Sequence, residues 1–558
     1  MSAASDLDST GWSSLIDLLL SEQQSLPAVE TFARRHQNGE LSSESGAYVD
    51  PIGIEVAGLQ PGQQLAFQVD LDSCTGCKAC VTACHSMNGL AEEETWRDVG
   101  LVVGVDGEEG FQQTVTTACH HCEDPACLKG CPVLAYEKDP VTGIVRHLDD
   151  QCIGCQYCVM KCPYDVPKYN AKLGIVRKCD MCADRLAVGE SPACVQGCPN
   201  GAISIQIVDT AKGGGAIDLV AGLKGALPDS SYTRPTTRYL SKRRATGLEP
   251  VGLDRLVMGQ AHDPLAVMLV LLQLSVGTLG FGRVATQLGM MDESAMDLGL
   301  ALAASTGILG LIAATLHLGR PIYAFRAFLG WRTSWMSREI IAVGLYVPTL
   351  IMAALAATFE PSFRSSTTSD WLIWVQWAAL FVGVVGIGCS MMIYIDTRRH
   401  AWASSRTVPL FLGTLLALGA IGAALAIVAS AVLTGRAGVG PAIPLLVLGL
   451  VALGVKWRLE EAHVEDTDVD ANRSRALERG RQLLRGPLRP RARVRLVFAA
   501  CGAVGAALSI SLLAFGWPGF PGLLLLMMGG SLLLCTIGEI VERHLYFTAE
   551  ASPGMPSH

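Results

Sequence analysis

Sixteen of the 19 cysteines in this 558-residue chain fall between Cys74 and Cys198 and form four groups of four. The groups are Cys74, Cys77, Cys80, Cys84; Cys119, Cys122, Cys127, Cys131; Cys152, Cys155, Cys158, Cys162; and Cys179, Cys182, Cys194, Cys198. The first and third read C-x2-C-x2-C-x3-C. In that spacing a tight loop turns three thiolates toward one cubane while the fourth, entering the next helix, faces a second cluster. The other two groups keep the last interval and lengthen the middle one. Pro132, Pro163 and Pro199 follow the fourth cysteine in three groups, turning the chain out of the loop and withholding a donor. Four complete quartets imply four [4Fe-4S] clusters.

Other uses of cysteine fit less well. Disulfides suit an exported chain, but residues 1–21 lack a basic n-region or a twin arginine and carry Asp6 and Asp8. Zinc closes four-coordinate sites from paired ligands and gives no reason for a C-x2-C-x2-C triplet followed by C-x3-C. The remaining cysteines, Cys389, Cys501 and Cys535, each lie in an apolar run and read as packing residues.

Two-cluster logic assigns each fourth cysteine to the partner cluster. Joining the second and third groups gives Cys119, Cys122, Cys127 with Cys162, and Cys152, Cys155, Cys158 with Cys131. The first and fourth then give Cys74, Cys77, Cys80 with Cys198, and Cys179, Cys182, Cys194 with Cys84. This pairing is an expectation for the structure to meet.

These quartets must be held by short elements. Asp72 to Cys80 and Asp150 to Cys158 share a leading acid and a turn glycine, Gly76 and Gly154, which marks an internal duplication. Residues 139–145, Asp-Pro-Val-Thr-Gly-Ile-Val, predict a hairpin. Residues 1–65 form an N-terminal extension with a short amphipathic pattern, either a docking arm or a solvated extension; residues 66–208 form an α+β ferredoxin-like domain. Residues 209–260, with Gly213-Gly214-Gly215 and Lys242-Arg243-Arg244, read as a connector.

Residues 261–558 change character. Eight apolar runs, most near the ~20 residues that cross a bilayer, predict an all-α polytopic membrane bundle. Loops on one side, with the tail, hold 19 lysines and arginines, among them Arg320, Arg326, Arg398 and Arg399, against three on the other. The cluster half lies on the arginine-rich side, so it is expected to face the cytoplasm from the inner membrane. A net charge of −8 argues against a nucleic-acid binder.

Ala118-Cys119-His120-His121-Cys122-Glu123-Asp124-Pro125-Ala126-Cys127, with Cys152-Ile153-Gly154-Cys155 and Cys162-Pro163-Tyr164, resembles the four-cluster electron-transfer subunit of the dimethyl sulfoxide reductase family. His317-Leu318-Gly319-Arg320-Pro321, Ala324-Phe325-Arg326 and Met336-Ser337-Arg338-Glu339-Ile340 resemble the same family's membrane anchor. The resemblance implies a fusion of two subunits that exchanges electrons with quinol in the membrane and with a molybdopterin-containing catalytic subunit, where the substrate-reducing site is expected.

Quinol releases two electrons and two protons, so its site needs a titratable acceptor near a cluster. His317 ends the second span and Glu339 opens the third, which makes both candidates; the alternative is an interfacial histidine and a helix N-terminal carboxylate. A b-type haem is not expected, because the histidines of this half lie near span ends or in loops. Glu539, Glu542, Arg543, His544 and Tyr546 close the last span and read as interfacial anchors. A purely structural tether is the rival function. An ion-translocating module is disfavoured by the scarcity of charge within the predicted spans, where Arg283 and Asp297 stand near the outer edge.

The four quartets predict about sixteen irons and about sixteen sulfides per chain in reconstituted protein. About four zinc atoms without charge-transfer absorbance would end the cluster assignment.

Overall fold

The computed structural model describes residues 59–104, 110–210, 230–243, 248–251, 256–359, 368–435, 439–465, 471–515, 521–551 and 555–556. The expected extension, apart from its last residues, lies outside that set, as does the triple glycine of the expected connector.

The cluster half is assembled from short pieces around the cysteine loops: β1 Gln63–Asp70, α1 Ala79–Met87, β2 Asp98–Gly104, β3 Gln112–Thr117, α2 Ala126–Gly130, β4 Tyr136–Lys138, β5 Val145–His147, α3 Tyr157–Lys161, β6 Lys168–Asn170, β7 Ile175–Arg177, α4 Ala183–Ala187, α5 Ala193–Gln196, β8 Ile203–Asp209, β9 Arg238–Leu240 and β10 Leu248–Pro250. β1 pairs antiparallel with β8 and parallel with β9, while β2 lies between β10 and β3. Two hairpins, β4–β5 and β6–β7, complete the unit. β9 and β10 come from the stretch expected to be a connector; they are the edge strands of the two larger sheets. Leu65, Phe67 and Val69 of β1 pack with Val99, Val115, Ile203 and Ile205 in one core with the buried Cys80, Cys84, Cys119, Cys179 and Cys194.

Eight helices among the described residues are long and apolar enough to cross a membrane. They lie within α6 Asp263–Gln287, α7 Glu293–Leu316, α8 Trp335–Phe359, α9 Thr368–Ile395, α10 Ser404–Thr434, α11 Ala442–Glu465, then, after the shorter polar helix α12 Ala471–Arg485, α13 Arg489–Ala514 and α14 Pro521–Thr548. Capping follows the sequence: Asp292 accepts the Ala295 amide at the start of α7, and Gly435 adopts a left-handed φ of 67° after α10. α6 is the most enclosed span. Its Gly277 meets Gly419 of α10 backbone to backbone, the small-residue approach by which helices associate where lipid supplies no hydrophobic drive. Leu309, Phe381 and Leu526 point outward, as lipid-facing side chains should. α11 runs on past Lys456, which is fully buried against other helices.

The two halves meet along the arginine-bearing loops. Arg320 donates from its amide to the Ile153 carbonyl and from Nη1 to Asp149, both at 3.0 Å; Arg326 donates to the Asp150 carbonyl at 2.8 Å. Ser334 donates to Gly130 at 2.7 Å, Tyr157 to Ile393 at 3.1 Å and Arg399 to Met160 at 2.9 Å. Three glycines form the closest contact. A Cβ on Gly319 would lie 2.2 Å from the Gly174 carbonyl oxygen, and one on Gly154 would lie 2.3 Å from that same oxygen.

Gly319→Ala is expected to loosen this interface, costing on the order of 1–3 kcal/mol because backbone rather than a side-chain tip must yield. Gly344→Ala meets nothing within 4 Å and should be neutral. Thermal melting and protease sensitivity at residues 172–176 report the difference, and equal behaviour of the two variants would contradict this seating.

Candidate functional site

A shared backbone device aims the thiols. The residue before the second cysteine is left-handed in every group: Gly76 at φ 72°, His121 at 41°, Gly154 at 69° and Met181 at 61°. This turn reverses the chain inside the C-x2-C interval and points amides at sulfur. Gly154 donates to Cys152 Sγ at 3.4 Å and Met181 to Cys179 Sγ at 3.4 Å, while Ala135 and Ala202 donate to Cys131 and Cys198, both at 3.2 Å. Glycine adopts the conformation freely; His121 and Met181 hold it at a steric cost of about 1–2 kcal/mol each.

Several of the thiols lie near one another. Cys119, Cys122, Cys127 and Cys162 line one cavity. Cys131 acts electrostatically on Cys155 and Cys158, and Cys84 feels Cys194 and Cys182. Thr75 accepts from Asn200 at 2.9 Å, which brings the first loop beside Cys198. Among the described residues no three His, Cys, Asp or Glu side chains converge on a single ion. Burial pushes Cys127 up to about 12 and Cys158 well above the ordinary 9, so these thiolates need strong cationic compensation. A cluster of ferric and ferrous ions supplies it, and sulfur-directed amides are the donors that tune such a group. The donor set therefore fits [4Fe-4S] clusters.

Two buried cations escaped the sequence reading. Lys178 Nζ lies 3.7 Å from Cys119 Sγ, donates to the Cys179 carbonyl at 2.8 Å and also to the Val145 carbonyl. Its pKa is raised: the neighbouring thiolates Cys119, Cys127 and Cys179 outweigh the larger single effect of burial, which lowers it. Arg97 sits over Phe67 at 4.6 Å and faces Cys194 and Cys80. The signal for Lys178 was its place directly before a ligand; nothing in the sequence marked Arg97.

His317 caps the C-terminus of α7 at the interface. Its ring hydrogen-bonds to the Cys155 backbone carbonyl, and its buried Nε2 has no partner. Burial lowers its pKa below the ordinary 6.5, the carbonyl opposing that shift, so the ring is neutral and can accept a proton. The His262 ring stands 5.2 Å from it, edge to face, and burial brings His262 down to about 4. Glu339 is buried and accepts from Ser390. Among the described residues no hydrogen bond joins it to His317; it faces Tyr157 and Tyr394 instead.

The residues closing the last span are not interfacial anchors throughout. Glu539, Glu542 and Arg543 are buried with Lys456. Lys456 donates to Glu539, lies 3.4 Å from Glu542 and donates to Thr414 at 2.9 Å. Glu539 lies one turn before Glu542 and Arg543, so the three share one inward side of α14, which the sequence placed at the membrane edge because the run of apolar residues stopped there.

A model of the 4Fe-4S dicluster domain matches residues 111–208, and one of the DMSO reductase anchor subunit (DmsC) matches residues 257–465. The B subunit of the anaerobic dimethyl sulfoxide reductase of Escherichia coli K12 is 39% identical over 181 residues, covering 31% of this chain and 86% of that relative. The iron-sulfur subunit of the nitrate-inducible formate dehydrogenase of the same organism is 37% identical over 161 residues, 25% of this chain and 53% of its own. Hydrogenase-2 operon protein HybA of Escherichia coli O157:H7 is 39% identical over 169 residues, 26% and 51% respectively. An iron-sulfur electron-transfer domain thus precedes a multi-pass anchor, and the chain belongs to the dimethyl sulfoxide reductase family, with the family's iron-sulfur subunit and membrane anchor carried on one polypeptide.

Proposed function

We propose that this protein passes electrons between membrane quinol and a separate molybdopterin-containing catalytic subunit, through four [4Fe-4S] clusters held by the sixteen cysteines, with its cluster half on the cytoplasmic side. The observation that carries the reading is His317: one face of its ring is bonded to the carbonyl of Cys155, the other is buried and free. On this reading a proton acceptor stands beside a cysteine loop that would hold an electron acceptor.

Contacts also suggest the order of the relay. The loop with Cys152, Cys155 and Cys158 seats on the membrane half through Arg320 and Tyr157. Cys162 of that group lines a cavity with Cys119, Cys122 and Cys127. Cys179 feels Cys119 on one side and Cys84 on the other. Cys77, in the first group, is exposed. Electrons entering beside His317 would leave near Cys77, which is where a catalytic partner would dock. Two of the relatives are themselves named as single subunits of larger enzymes, a reductase and a dehydrogenase, in keeping with a separate catalytic subunit.

A bound [4Fe-4S] cluster supplies one-electron transfer. The chain's own residues do the rest. His317 Nε2 would accept a hydrogen bond from a quinol hydroxyl and take its proton as an electron departs; it can hold only one, and the buried His262 ring beside it stays neutral, so the proton must move on before the next arrives. Glu339, set apart with Ser390, is a second acceptor rather than a partner that orients His317. Lys178 stabilises the added electron by its charge.

His317→Ala should slow quinol-dependent cluster reduction by roughly 10² to 10⁴ while dithionite still reduces the clusters. Glu339→Gln should have a smaller, pH-dependent effect, since the amide keeps hydrogen-bonding capacity without the charge. Normal quinol oxidation in a correctly inserted His317 variant would favour the structural tether. Lys178→Met should lower the potential of an adjoining cluster by on the order of 60 mV, about 1.4 kcal/mol for one electron. Unchanged potentials in a redox titration followed by electron paramagnetic resonance would remove Lys178 from that role.

A further inference from the structure

The face of the bundle that carries the cluster half contains a second cavity, of about 500 Å³, well within the range of small-molecule sites. Neither His317 nor His262 lines it, although Tyr546, which does, is linked to them through Phe547. The match to the anchor family ends at residue 465, and α12, α13 and α14, which form much of the wall, lie beyond it. From this cavity we infer a binding site for an anionic phospholipid, held by its phosphate diester.

The lining has two chemical parts. Leu410, Leu477, Leu484 and Leu545 give an apolar surface contributed by α10, α12 and α14. Arg406, Arg481 and Arg495 face the same space, against two carboxylates, Glu460 and Glu542. Those carboxylates have partners of their own. Glu460 pairs with Arg495, and Glu542 has Lys456 at 3.4 Å and Arg543 at 3.8 Å. That leaves Arg406 and Arg481 as the cationic groups with capacity to spare. Arg406 donates to the Ala401 carbonyl at 3.2 Å, lies over the Tyr546 ring and acts on Glu542 by charge alone, and Arg481 has one long contact to Glu478 at 3.4 Å, with its Nε buried and unpartnered.

The local backbone favours the same charge. Ser405 and Arg406 open α10, a 31-residue helix whose N-terminal end is positive, and the cavity reaches Ala403 and Ser405 there. A phosphate between Arg406, Arg481 and this helix start would satisfy the buried Nε, with acyl chains laid along the leucines. A neutral quinone would leave the arginines uncompensated, and a free phosphate would leave the leucines exposed to water. α12 explains how the site is roofed: its Leu483 clusters with Leu545 of α14, together with Leu488 before α13 and Ala549 just after α14, and it presents its arginines at the membrane edge.

The test uses the full chain, purified from membranes in mild detergent and washed, with bound lipid identified by mass spectrometry and total phosphorus. About one anionic phospholipid per chain should survive, as expected of a single pocket of this size. The double substitution Arg406→Gln, Arg481→Gln should reduce retention roughly thirtyfold, as loss of two interfacial cations predicts, without changing cluster absorbance or dispersity. Leu484→Trp, which fills the apolar part and leaves the charges, should also lower it. Excess inorganic phosphate should not displace the lipid. Retention of a quinone instead, of zwitterionic lipid in equal measure, of free phosphate, or of nothing in the unsubstituted chain would each overturn the assignment.

Discussion

One carbonyl oxygen, that of Gly174, occupies the space where a side chain on Gly154 or Gly319 would have to be. The two halves of the chain can come together only because three backbones touch there without side chains between them. The approach fixes the height of the Cys152–Cys155 loop above the membrane helices, and from that height follow the Arg320 bonds to Ile153 and Asp149 and the bond from the His317 ring to Cys155. Electron transfer falls steeply with distance, and a hydrogen-bonded contact of this kind sets the distance by sterics instead of by the flexible reach of long side chains.

The second constraint is charge without water. Burial pushes the Cys155 and Cys158 thiols well above their ordinary range, so ionising them needs compensating charge. Lys178 and Arg97 bring positive charge into that interior, and backbone amides add partial charge without adding a titratable group. The membrane half solves the same problem with full charges in balance, Lys456 and Arg543 against Glu539 and Glu542. Breaking one member of such a set leaves its partner buried and unpaired, which is costlier than never having had the set.

The cysteine loops were legible because ligand spacing is local: Gly76 and Gly154 announce the left-handed turn that the geometry requires. His121 and Met181 adopt the same turn and could not be recognised, since neither residue prefers it. The spans were legible from length and hydropathy, but Glu539 was taken for an anchor and nothing marked Lys456 as buried with it. Hydropathy counts charges singly, and these are tolerable inside only as a group drawn from separate helices. β9 and β10 were hidden for a related reason. Three-residue edge strands are too short for any period to show, and they exist because β1 and β2 offer them a ladder.

Those two edge strands also decide how free the halves are to part. From Pro250, the end of β10, to Asp263, the start of α6, only twelve residues intervene. Even fully extended they span about 40 Å, so a cluster half that lifts off the bundle stays within reach of its seat. Its effective concentration there is of the order of millimolar. An interface between separate subunits must supply binding affinity as well as alignment. Here covalent continuity supplies the affinity, and the contact surface is left to specify geometry alone, which suits a junction made of backbone hydrogen bonds and three glycines.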